Sequence, residues 1–383
     1  MASQWGRTGS RRWCRWRWIG SRSFTRCRKG GNNLSKFNLQ SPTPTRHIVI
    51  LTTGGTIAMQ HDAAAGGAVP TLRAADFTAA LPEGLPELRT EELVNLPSSH
   101  FTLETLAMIR ERVAALAAQS DVTGVVITHG TDTMEETAYL LDLTVPGEKP
   151  LVLTGAMRTA SAVGYEGYAN LLAAVRVAAA PQAQRLGAVV VFNDEIHAAR
   201  CVTKMHTLSP ATFQSPGWGP VGRVEGDNVI IARRPERQVL PWRGLEPNVT
   251  LLKLAVGMET DLLEHALARS VRGVVIEALG GGRVPVWWLP VIEQARERGV
   301  TVVIASRCPS GRVWDGYGYP GAYRTLAGLG CLFAEGLNGQ KARVKLMVVL
   351  AQQLTMSNLE SGKFSECPHL GVGNNKGARY GGS

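Results

Sequence analysis

Two short segments bring hydroxyls, glycines and a carboxylate to places where strands should end. Leu51-Thr52-Thr53-Gly54-Gly55-Thr56-Ile57-Ala58 and Thr128-His129-Gly130-Thr131-Asp132-Thr133 each follow an apolar run and open into a turn. In an open α/β sheet the carboxyl ends of strands converge on one crevice, where small ligands bind. Two such corners place two threonine hydroxyls and one carboxylate around a single small substrate. That arrangement suits acyl transfer.

Each segment also has a plainer reading. Gly-Gly after a strand ends many strands harmlessly, and Thr53-Gly-Gly-Thr56 is neither GxGxxG nor a phosphate-binding loop. Asp132 or Thr133 is a natural N-cap for the helix that follows, with Glu135 and Glu136 in its first turn. His129 reads as a satisfied structural histidine rather than a base. Lys204, in Cys201-Val202-Thr203-Lys204, reads as a surface charge unless the fold brings it to Thr131. There it gains a role, because a hydroxyl needs a neighbouring base before it attacks, and a buried lysine amine can be that base.

The elements that must position these residues follow from the apolar pattern. Strands are expected at His47–Leu51, Val122–Thr128, Pro150–Thr154 and Leu186–Phe192, with helices at Leu103–Ala118, Met134–Asp142 and Ala169–Ala180. Strands alternating with helices indicate a parallel sheet. Met59 to Arg73 is rich in Gly and Ala and reads as a loop able to act as a lid. Alternation resumes with strands Val249–Leu254, Gly273–Ala278 and Val300–Ala305. Helices Asp261–Arg269, Val286–Arg298 and a closing Gln340–Gln352 lie around them. The expectation is α/β throughout: a larger N-terminal parallel-sheet domain over 47–225, a linker at 226–248 and a smaller C-terminal α/β domain over 249–353.

The chain has 383 residues, 44% hydrophobic and 19% charged, as a globular protein has. Its net charge of +10 belongs to one end. Residues 1–46 hold 11 Lys/Arg and no Asp/Glu, which leaves 30 basic against 31 acidic residues in the remainder. Nucleic acid is therefore a poor fit as a partner of the body, and no apolar run is long enough for a membrane helix. The head also holds four of the nine Trp. It reads as a disordered basic extension, or as a transit peptide because it is rich in Arg and Ser and free of acid. Residues 354–383 are polar and aperiodic and read as a disordered tail. The six Cys (Cys14, Cys27, Cys201, Cys308, Cys331, Cys367) form no CxxC pair. That argues against a zinc site and a disulfide framework, and for a reducing compartment.

The two corners, together with Gly155-Ala-Met-Arg158 and Val202-Thr-Lys204, resemble the bacterial-type L-asparaginase family, in its order and over about 47–353. The resemblance implies hydrolysis of the L-asparagine side-chain amide to L-aspartate and ammonia, without metal or organic cofactor, in a homotetramer with sites at subunit boundaries; the expected location is the cytoplasm, or an organelle if residues 1–46 act as a transit peptide. Thr53 matches the nucleophile. Thr131, Asp132 and Lys204 match a second, triad-like set, and Asp132 also matches the group that holds the α-ammonium. Ser98 matches the serine that binds the α-carboxylate, and Ser99 a further substrate contact. Gly130 and Ala156 match backbone contacts near the amide. Three features depart from the pattern. Residues 59–73 contain no lid Tyr. Val256-Gly257-Met258 offers no Asn. After Gly311 there are Asp315 and Tyr317 but no Glu. Preference for Asn over Gln is thus left open. The alternatives are an asparaginase-like subunit of a tRNA-dependent amidotransferase and a non-catalytic amino-acid-binding relative.

Overall fold

In the computed structural model, the described residues are 46–352 except 72, 315 and 335. The expected extensions (but for Arg46), the end of the C-terminal domain at 353, Cys14, Cys27, Cys367 and Asp315 lie outside them.

The first strand, β1 (His47–Thr52), leads through the Thr53-Gly54-Gly55 corner and a 3-10 turn, Thr56–Ala58, into β2 (Met59–Asp62) and β3 (Gly67–Pro70). Then come α1 (Ala74–Ala79), β4 (Glu87–Glu92), α2 (Leu103–Ala118), β5 (Val122–Thr128), α3 (Met134–Thr144), β6 (Leu151–Thr154), α4 (Gly167–Ala179) and β7 (Ala188–Phe192). The chain continues through β8 (Glu195–Ala198), β9 (Thr203–Lys204), β10 (Phe213–Gln214), β11 (Gly222–Glu225) and β12 (Asn228–Ile231).

Eight of these strands form one sheet in the order β12-β11-β8-β7-β6-β5-β1-β4. From β7 to β4 it is parallel, and its inner strands β1, β5, β6 and β7 are largely apolar and buried. The expected parallel sheet is present from β7 to β4, and at the other end β8, β11 and β12 add antiparallel strands. Asn193 and Asp194 both have positive φ, 51° and 60°. Two such residues make a primed turn, which folds β8 straight back on β7. The expected linker at 226–248 begins too early as well: Asn228–Ile231 is a full strand on β11. Within the expected 59–73 loop, residues 59–70 form an antiparallel hairpin, β2 on β3.

The second half holds β13 (Val249–Lys253), α5 (Asp261–Ala268), β14 (Gly273–Ala278), α6 (Leu289–Glu297), β15 (Thr301–Ser306), α7 (Tyr323–Gly328), β16 (Leu332–Phe333) and α8 (Gly339–Ala351). Its four strands are parallel in chain order. Apolar residues of α3 (Tyr139, Leu140, Leu143) share one buried cluster with Val275, Val303, Leu346 and Met347 of the second half. The helix that starts at the second corner therefore packs directly against α8.

Candidate active site

Parallel register delivers the two corners to the same edge of the sheet. Thr52 of β1 lies opposite Thr128 of β5. One residue further on, the Thr53 amide and the Thr53 hydroxyl both donate to the Thr128 carbonyl, at 3.1 and 2.8 Å. Thr53 is fully buried in the free chain. Gly55 then turns with φ 88° and ψ 176°, a region open essentially only to glycine. A Cβ there would sit 2.4 Å from the Gly130 amide nitrogen. The two corners are in backbone contact because neither carries a side chain at that point.

The second corner holds the charged set. Lys204, on β9 and far along the chain, places its Nζ 2.8 Å from Thr131 Oγ1 and 2.8 Å from Asp132 Oδ1. The Lys204 Nζ donates to both oxygens. The Thr131 oxygen, accepting from Lys204, keeps its own proton free to point elsewhere. The Lys204 side chain is 17% exposed and that of Asp132 is 63% exposed, so the pair lies at the mouth of the site, partly wet.

Ser98 sits in a 3-10 turn, Ser98–His100, on the other side of Gly130. It is buried, and its Oγ has no partner among the described residues. A Cβ on Gly130 would lie 2.6 Å from that oxygen. A buried hydroxyl without a partner is costly unless a ligand supplies one, which fits an anion-binding role. Ser99 is exposed beside it. Thr133 does occupy the N-cap of α3, but its side chain makes no capping bond. Its hydroxyl instead donates to the Ser98 carbonyl at 3.0 Å, tying the serine turn to the second corner.

His129 is fully buried with both ring nitrogens engaged: Nδ1 lies 2.6 Å from the Gly130 carbonyl and Nε2 2.8 Å from Thr137 Oγ1. A carbonyl only accepts, so Nδ1 carries the proton and Nε2 accepts from Thr137. Burial pushes the imidazole down to about 4. It is a neutral clamp on the corner, as the sequence suggests.

Ala156 is buried at the end of β6, outside the direct contacts of the charged set. The preceding Gly155 carbonyl accepts from Asn170 Nδ2 at 3.0 Å, and Asn170 Oδ1 accepts from the Asn193 amide. The structure thus brings Thr131, Asp132 and Lys204 into direct contact, sets Thr53 on the neighbouring strand end, and packs Ser98 on Gly130. Sequence reasoning missed several supporting groups. Asn170 fixes the Gly155 turn. The Tyr165 hydroxyl donates to the Ile57 carbonyl at 2.8 Å, just beyond the first corner. Tyr165 lies in the segment that also holds the hairpin, the Ala160 amide donating to the Met59 carbonyl and Ser161 Oγ accepting from the His61 amide. These residues act on backbone carbonyls and amides, which leave no spacing signature in the chain.

Comparison with known proteins identifies the chain's relatives. A family model described as asparaginase, N-terminal, matches residues 47–237, and one described as glutaminase/asparaginase C-terminal domain matches 248–361. A probable L-asparaginase of Deinococcus radiodurans is 38% identical over 319 residues, covering 81% of this chain and 94% of the relative. An L-asparaginase of Bacillus licheniformis is 34% identical over 310 residues, 80% of this chain and 96% of the relative. A glutaminase-asparaginase of Pseudomonas fluorescens is 34% identical over 338 residues, 84% of this chain and 91% of the relative.

Proposed function

The chain belongs to the asparaginase family, and on that premise we propose that it hydrolyses the side-chain amide of L-asparagine to L-aspartate and ammonia. The observation that carries the reading is the bridge of Lys204 Nζ to Thr131 Oγ1 and Asp132 Oδ1, each at 2.8 Å, at a corner in backbone contact with the Thr53 corner.

In this reading Ser98 Oγ binds the substrate α-carboxylate, with Ser99 beside it. The exposed Asp132 carboxylate takes the α-ammonium. Charge-assisted hydrogen bonds at both ends hold a small zwitterion in one orientation. That leaves the amide carbon over Thr53. Its hydroxyl proton passes to Thr131 Oγ1 while the Thr131 proton moves to the Lys204 amine, unprotonated at this step, as the Oγ–carbon bond forms. The tetrahedral oxyanion is stabilised by backbone N–H groups at the corners, around Gly130 and Ala156. Collapse expels ammonia, protonated by the set that took the first proton, and leaves an acyl-Thr53 ester. Water, deprotonated through Thr131 and Lys204, attacks the ester and releases aspartate. No step calls on a metal or organic cofactor.

A homotetramer belongs to the same reading. Its support is that Ser99 and Asp132 face solvent in the single chain, leaving the substrate's charged end uncovered. A neighbouring subunit would close that side.

An ammonia-release assay on the full chain with L-Asn, L-Gln and D-Asn tests the activity. Turnover of L-Asn is expected, and the L-Gln rate fixes the preference that the sequence leaves open. An absence of ammonia from L-Asn and L-Gln alike overturns the reading. Light scattering tests the assembly, with four chain masses expected.

A further inference from the structure

Lys204 is held in the site by a strand of only two residues. β9 pairs with β10 alone and is not part of the eight-stranded sheet. Something else must fix the depth at which Lys204 enters. The carbonyls just before it, at Val202 and Arg200, both accept from the Nζ of Lys341. Lys341 lies in the first turn of α8, in the second half of the molecule, and is 1% exposed.

The same ammonium faces a buried carboxylate. Glu135 Oε2 lies 3.5 Å from Lys341 Nζ. Glu135 stands in the first turn of α3, three residues after Asp132. Its oxygens also accept from Asn338 Nδ2 at 3.1 Å and Gln340 Nε2 at 3.0 Å, both on the α8 side. One buried cation therefore ties the backbone of the segment that carries Lys204 to the Glu135 carboxylate at the start of the helix that follows Thr131 and Asp132. Both pieces must be in register for the 2.8 Å contact between Lys204 and Thr131.

We propose that Lys341, paired with Glu135, is a positioning residue that sets the Lys204–Thr131 contact and makes the second half of the molecule part of the catalytic apparatus. This inference rests on the proposed activity for its kinetic arm. A plain structural tie predicts something different. Stability would suffer when Lys341 is removed, but whatever folds would turn over normally.

Two variants of the full chain separate these. Lys341→Met keeps the stem and removes the ammonium, which strands Glu135 as a buried unpaired charge and is expected to destabilise strongly. The double variant Glu135→Gln/Lys341→Met removes both charges and is expected to recover melting temperature, since replacing a whole buried pair is often neutral. Its kcat is nonetheless expected to stay at least about 30-fold below wild type with KM for L-asparagine within about threefold, the pattern of a loss confined to the transition state. A crystal structure of the double variant is expected to show Lys204 Nζ out of hydrogen-bond reach of Thr131 Oγ1, beyond about 3.5 Å. A folded double variant with wild-type kcat, or one that keeps the contact, overturns the inference. Failure of the proposed activity shows itself separately, as wild-type protein that releases no ammonia. The crystallographic arm then still decides the positioning claim.

Discussion

Thr53 enters the reaction from a resting hydrogen bond. Its hydroxyl proton is committed to the Thr128 carbonyl at 2.8 Å, so the side chain must give up that bond before the oxygen can be deprotonated. Thr53→Ala removes the attacking oxygen and leaves the backbone bond to Thr128 in place. We expect kcat to fall about 10³-fold or more, the loss typical of a nucleophile working as part of a unit, with little change in melting temperature. Retention of a tenth of the wild-type rate would move the nucleophile's role to Thr131.

Two other buried groups make an opposed pair in acid. Burial pushes His129 down from 6.5 to about 4. Between those values the unfolded chain holds the extra proton, so the stability contributed by neutral His129 is complete above 6.5 and lost as pH falls towards 4. Burial pushes the Asp142 carboxyl up from 3.8 to about 6, against the Arg237 guanidinium 2.8 Å away. Here the folded chain holds the extra proton, and its contribution is present below 3.8 and lost as pH rises through 6. Each effect is on the order of 3 kcal/mol, at about 1.4 kcal/mol per pH unit. They offset one another, so urea midpoints of the wild type are expected to vary little between pH 4.5 and 6. His129→Gln should leave stability falling as pH rises through that window, and Asp142→Asn should leave it rising. Identical slopes in all three proteins would show that neither group titrates as burial dictates.

At the scale of elements, the corner geometry depends on the absence of side chains. Gly55 combines a glycine-only conformation with a 2.4 Å approach to the Gly130 nitrogen. Gly55→Ala meets both penalties. The backbone conformation alone costs about 1–3 kcal/mol, and the approach forces the two corners apart. We expect a lowered melting temperature and, in the fraction that folds, a kcat loss of at least about 100-fold, as a displacement near 1 Å produces. Near-wild-type turnover would mean that the corners tolerate separation.

The same scale explains what could be read from the chain. β1 and β14 are buried along their whole length and β5 at all but Thr123, and their largely apolar runs announce them. β4, with the sequence Glu-Leu-Arg-Thr-Glu-Glu, lies at the sheet edge half in water, so nothing apolar marks it. β12 hides in the Arg-, Pro- and Gly-rich stretch at 226–248 that reads as a linker. The hairpin at 59–70 is exposed along β2 and carries Gly and Ala in place of an alternating pattern. In the site, Thr53, Thr131, Asp132 and Lys204 were marked by their corner motifs and by the family resemblance, not by spacing alone. Lys341, Asn170 and Tyr165 were not, because each binds a main-chain atom presented only by the fold.

For the molecule as a whole, charge and family likeness divide the chain at the same place. All 11 excess cations of the head precede residue 47, where the family match begins. The remaining residues are close to neutral, with 30 basic and 31 acidic side chains. Catalysis and any affinity for polyanions should therefore separate on truncation. A chain starting at residue 44 is expected to keep the full-length kcat/KM, melting temperature and oligomeric state. It should lose the salt-sensitive retention on heparin that a dense basic segment confers. A fluorescent fusion of residues 1–46 tests the other use of that composition. Diffuse cytoplasmic signal is the expected outcome, and delivery to an organelle would make the segment a transit peptide. Loss of activity or assembly on truncation would instead make the head part of the working enzyme, and loss of tRNA binding alone would favour an amidotransferase role.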